Sequence, residues 1–96
     1  MLKASIRILR KLKEKHAVEW YEVEEAFWNS TGQYIEDIRA QHKTIPPTLW
    51  FISVTDKGRK LKIVFIEKLN GDIELKSAYA PNEKEMKLYD KHTQNN

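Results

Sequence analysis

The chain has 96 residues and 11.4 kDa, with 41 % hydrophobic residues, 32 % charged residues and a mean hydropathy of −0.68. This composition describes one globular domain and excludes a disordered polyelectrolyte or a two-domain enzyme. Cysteine is absent, which excludes a disulfide framework, a thiolate zinc site and a cysteine nucleophile, and the net charge of +3 is mild.

In chain order, Leu9, Leu12 and His16 beside Ile8 recur at helical spacing, so an amphipathic helix is predicted over 6–16 with its basic face to water. A short strand over 5–8 is the competing assignment. Trp20, Val23 and Phe27 repeat the spacing and predict a second helix over 20–29, stopped by Asn29-Ser30-Thr31-Gly32. From Gln33 to Arg39 the period becomes two, a short strand that runs into the polar segment 40–44. Pro46-Pro47 forbids helix and forces an extended entry into a strand over 49–55. A turn at 56–59 leads to strands over 60–67 and 73–79, joined by Asn70-Gly71, which suits a two-residue type I′ turn. After Pro81, Asn82 and Glu85 form an Asn-x-x-Glu start signal for a helix over 83–91. The expected architecture is α+β: two N-terminal helices, an antiparallel three- to four-stranded meander and a C-terminal helix. One domain is expected over 1–92, with a frayed polar tail over 93–96.

Charge is unevenly placed. Lys3, Arg7, Arg10, Lys11, Lys13 and Lys15 stand against Glu14 alone, and Lys57, Arg59, Lys60 and Lys62 against Asp56. Such knots suit phosphates, while ordinary solvated surface is the plainer reading. Counting outward from Asn70-Gly71 sets Ile66 opposite Leu75, Val64 opposite Ser77 and Lys62 opposite Tyr79, and it also sets the like charges Glu67 and Glu74 opposite each other. A Lys57-Gly58 turn would add Ser53 opposite Lys62. Lys60, Lys62, Ser53, Ser77 and Tyr79 then converge at one sheet end, where ammonium groups beside a phenol suit electrostatic stabilisation and proton transfer on a phosphodiester.

Lys15-His16-Ala17-Val18, then Glu22-Val23-Glu24-Glu25-Ala26-Phe27, Gly58-Arg59 before a strand, Ser77-Ala78, and the late Glu85 and Tyr89 resemble BrnT. BrnT is the small ribonuclease toxin family of type II toxin-antitoxin systems, with a fold similar to RelE toxins. The resemblance spans roughly residues 10–90. It implies a sheet flanked by helices, RNA as substrate, cleavage without a metal on a basic sheet surface, and a small antitoxin with a ribbon-helix-helix DNA-binding domain as partner. BrnT-like chains carry a basic residue before the Ser-Ala step and an Arg after it, where this chain has Glu74 and Tyr79. Lys60, Lys62 and Lys76 are the available substitutes. The segments 36–44, 46–51 and 58–62 are also similar to small bacterial proteins labelled ADP-ribosyl-(dinitrogen reductase) hydrolase, an activity that needs carboxylate clusters for two metals, which this sequence lacks.

The catalytic candidates are therefore Lys60, Lys62, Lys76 and Tyr79, with His42 or Glu36 for proton transfer. The RNA-contact candidates are Arg7, Arg10, Lys11, Arg39, Arg59 and Trp28, the last for base stacking. No cofactor or metal is expected, because His16, His42 and His92 are scattered without ligand spacing. The expected protein is cytoplasmic and free of the membrane, since its longest apolar run, 63–66, is far short of the ~20 residues that span a bilayer. The alternative function is a non-catalytic module of the same fold that binds a protein or nucleic acid. A homo-oligomer is left open.

Overall fold

The computed structural model describes residues 1–39 and 44–94. In chain order it comprises β1 (Leu2–Lys3), α1 (Ile6–His16), α2 (Trp20–Trp28), β2 (Ile35–Glu36), β3 (Thr48–Val54), β4 (Lys60–Glu67), β5 (Ile73–Tyr79) and α3 (Glu83–Gln94). The class is α+β, as the sequence predicts. No helix among the described residues is long and apolar enough to cross a membrane.

Each helix starts where a side chain satisfies an open amide. Ser5 Oγ accepts from Ile8 N at 3.2 Å, which settles the first segment as helix rather than strand. Glu22 Oε1 accepts from the Glu19 amide at the start of α2, and Asn82 Oδ1 accepts from the Glu85 amide at the start of α3. α1 stops at Ala17, whose φ of 52° is left-handed and costly for any residue with a Cβ. Arg59 holds that turn from outside: its guanidinium donates to the His16 and Ala17 carbonyls and to Glu22. α3 runs to Gln94, past the expected end of the helix, and Thr93 Oγ1 bonds the Tyr89 carbonyl.

The sheet order is β1-β5-β4-β3-β2. It is mixed rather than wholly antiparallel, because β1, which the sequence reading missed, lies parallel to β5. Of the strand expected over 33–39, only Ile35–Glu36 pairs with β3. Strand alternation gives the sheet two faces. Phe51, Leu61, Ile63, Phe65, Leu75 and Ala78 form one, buried against Leu12, Val18, Val23 and Ala26 of the α1 and α2 layer. There Phe27 meets Phe51 and Phe65 edge-on, with centroids 5.0 and 5.4 Å apart. Trp50, Lys62 and Val64 form the opposite face, on which Tyr89 of α3 packs against Trp50.

Both hairpin turns differ from expectation. Gly71 N bonds the Lys68 carbonyl and Lys68 N bonds the Asp72 carbonyl, a three-residue loop in which only Gly71, at φ 91°, is left-handed. Asn70 has negative φ, so the turn is not type I′. The outer pairs shift by one residue, giving Phe65↔Leu75, Ile66↔Glu74 and Glu67↔Ile73. A bulge then inserts Lys76 and restores Val64↔Ser77 and Lys62↔Tyr79, the pairs counted from the sequence. The expected clash of Glu67 with Glu74 disappears, and Glu74 instead holds Lys68 and Lys76 at 2.9 and 3.0 Å. The β3–β4 turn is the same kind, with Gly58 at φ 87°, and it sets Ile52 rather than Ser53 opposite Lys62. Ser53 therefore faces the helical layer, and its buried Oγ has no partner among the described residues.

At Gly58 and Gly71 an added Cβ would meet nothing within 4 Å, so the constraint is conformational. Gly71→Ala and Gly58→Ala should each cost about 1 kcal/mol in urea unfolding, and the Asn variants less. Arg59→Ala, which removes charged hydrogen bonds from the α1 terminus, should cost about 2 kcal/mol in the same measurement.

Candidate functional site

Lys62 is the unusual residue of the sheet. Its position in β4 carries it onto the α3 face, where the residue is only 7 % exposed. An ammonium so placed needs a counter-charge and a polarisable surface. It has both: Glu85 Oε2 lies at 2.6 Å, and the ammonium stands 4.4 Å from the centroid of Trp50 and 5.6 Å from that of Tyr79. Tyr79, its cross-strand neighbour, donates its hydroxyl to the same carboxylate oxygen at 3.2 Å. Glu85 Oε1 accepts from the Asn82 amide. Burial pushes Glu85 up, but the hydrogen bonds from Lys62 and the Asn82 backbone outweigh it, so its carboxyl titrates below the ordinary carboxylate range. His16, at the end of α1, completes the group, with its ring tilted on that of Tyr79 at 5.5 Å. Burial first, and Lys15 and Lys11 after it, lower the His16 pKa and favour the neutral imidazole.

The cluster opens into a cleft of about 810 Å³ between α3 and the segment 33–39, with Trp50 and Lys62 at its floor. Lys84, Leu88 and His92 line one wall, and Glu36, Ile38 and Arg39 line the other. Arg39 makes a forked contact with Asp37 at 3.1 and 2.9 Å. Those bonds raise its pKa against the cost of desolvation, with further attraction from the nearby Tyr79 and Glu85.

Of the residues singled out in the sequence, the structure thus pairs Lys62 with Tyr79 and places Arg39 and Glu36 on the wall of the cleft that Lys62 floors. Lys60 shares the face of Lys62 but is exposed, lying 3.9 Å from the Met86 sulfur. Lys76 sits in the bulge on Glu74, away from the sheet end. Arg59 is engaged at the α1 terminus. Arg7, Arg10 and Lys11 line the exposed side of α1, across the sheet from the cleft, and Trp28 is solvent-exposed at the end of α2. His42 lies outside the described residues.

Sequence reasoning gave Glu85 a helix-start role and a place in the resemblance, and Trp50 a place in a strand, but neither a part in the site. The signal for Glu85 was present, since a capping carboxylate one turn into a helix after Pro81 faces back toward the end of the preceding strand. No group of three or more His, Asp or Glu among the described residues could hold a metal ion. No protein-family model, curated protein or solved structure matches the chain.

Because the Glu85 pKa is lowered on folding, its stabilisation is present above the ordinary glutamate value of 4.5 and is lost as pH falls through the lower folded value. Glu85→Gln should therefore cost about 2 kcal/mol in urea unfolding at pH 7 and progressively less below about pH 4. Lys62→Met, which removes the buried charge but keeps its bulk, should be tolerated better than Lys62→Ala.

Proposed function

We propose that the protein is a metal-independent endoribonuclease that holds a phosphodiester over Lys62, Tyr79 and Glu85 at the floor of the cleft. The observation that carries this reading is that two cations, Lys62 and Arg39, and an ionised carboxylate line one cleft, with the Tyr79 phenol hydrogen-bonded to that carboxylate, the set needed to move a proton and stabilise a phosphorane. The BrnT resemblance points the same way, with Glu85 taking the proton-transfer role first sought in His42 or Glu36. In this scheme Glu85 takes the proton of a ribose 2′-hydroxyl, whose oxygen forms a bond to the adjacent phosphorus. The bond from phosphorus to the 5′ oxygen breaks, the Tyr79 hydroxyl protonates that oxygen, and the phenol recovers its proton from Glu85 across their hydrogen bond. Lys62 and Arg39 face the charge that grows on the non-bridging oxygens. The products are a 2′,3′-cyclic phosphate and a 5′-hydroxyl. In a toxin-antitoxin setting a small antitoxin would cover this cleft.

One observation favours a second reading, a binding module without catalysis: at 2.6 Å the Lys62 charge is already neutralised by Glu85. An end-labelled structured RNA incubated with purified protein in EDTA separates the two. The ribonuclease should release cyclic-phosphate ends, with rates reduced at least about 100-fold in Glu85→Gln and Lys62→Ala and by a similar factor in Tyr79→Phe, all folded by circular dichroism. RNA that stays intact, with binding weakened by Arg39→Ala, would replace the ribonuclease by the binding module.

A further inference from the structure

The α1 and α2 layer, across the sheet from the cleft, carries two exposed aromatic rings. Trp28 is 88 % exposed and Tyr21 is 52 % exposed, although rings of this size are ordinarily mostly covered. They are two turns apart on α2, opposite the buried Val23 and Ala26, with Glu24 on the same side. α2 has no basic residue, and of its three glutamates Glu22 is held by Arg59 and Glu25 accepts from the Asp56 amide, which leaves Glu24 as the exposed charge. Its neighbour α1 has the opposite character. Away from its buried Leu12 it presents Arg7, Arg10, Lys11 and Lys13, none with a hydrogen-bond or ion-pair partner among the described residues, with the exposed Ile6 beside them.

A nucleic acid or an acidic peptide would match α1 but be repelled by the exposed Glu24 on the ring face of α2, whereas a basic peptide would match only α2. A surface that carries a feature and its complement side by side fits a second copy of itself. A two-fold axis between the helices lays each α1 over the opposing α2, so both complementary contacts form at once. We propose that this layer is the interface of an isologous homodimer, with the cations of α1 facing Glu24 of the other copy and with Tyr21 and Trp28 buried at its centre. The aromatic rings supply the affinity and the charges fix the pairing. The cleft, on the other side of the sheet, stays open in such a dimer.

Sedimentation velocity on the full chain, purified free of nucleic acid, tests the proposal. At about 100 μM protein and low salt the wild type should sediment at twice 11.4 kDa. Trp28→Ser should weaken association at least about tenfold. Arg10→Glu and Glu24→Arg should each weaken association at least about tenfold alone, since either one sets like charges opposite each other in both symmetric copies of the α1–α2 contact, and an equimolar mixture should form the dimer again. All three positions are exposed, and circular dichroism confirms that the variants are folded. A wild type that stays monomeric, an association that these substitutions do not change, or a mixture that stays monomeric would each overturn the interface.

Discussion

An ammonium group brought under a helix by strand alternation has to be neutralised, and that requirement organises this face of the protein. The middle of β4 is covered on both sides, so its residues there are buried on one face or the other, and one of them, Lys62, is a lysine. The counter-charge comes from Glu85, one turn into α3, whose amide is also fixed by Asn82. The same carboxylate therefore starts the helix, ties it to the sheet and sets the electrostatics of the cleft. Tyr89, one further turn along, repeats the attachment by packing on Trp50 and donating to the Gln33 carbonyl. The cleft exists because these two anchors hold α3 to one side of the face and leave the segment 33–39 to wall the other.

The meander, the three helices and the pairing of Lys62 with Tyr79 were legible because they rest on strong local signals: proline, turn glycines, capping residues and apolar periodicity. The turn types were not. A glycine following a polar residue satisfies a two-residue type I′ turn or the last position of a three-residue loop equally well, and the choice is made by what the strands bury. With the two-residue turn Lys76 would enter the core opposite Phe65; with the three-residue loop Leu75 does, and it is fully buried. The same ambiguity at Gly58 misplaced Ser53. β1 was missed because two residues carry no period. The pairing of Glu85 with Lys62 was not legible because only the folded chain shows how close α3 lies to β4.

The two faces divide the work of the basic residues. Arg59 was grouped with surface cations by composition, yet its donors go to two carbonyls and a carboxylate that stabilise a left-handed alanine. The α1 cations are solvated and lie away from the cleft. Net charge thus says little about where an anionic ligand would bind here; the pairing of each cation says more.

The bulge at Lys76 has a mechanical meaning. The hairpin could adopt either turn without changing any pair from Val64 to Lys62, because the one-residue difference between the two registers is taken up at position 76. It is a slack link in an otherwise taut ladder. Changes of sequence or length at the hairpin tip are absorbed there, leaving the Lys62 and Tyr79 pair insulated from the most exposed loop of the meander.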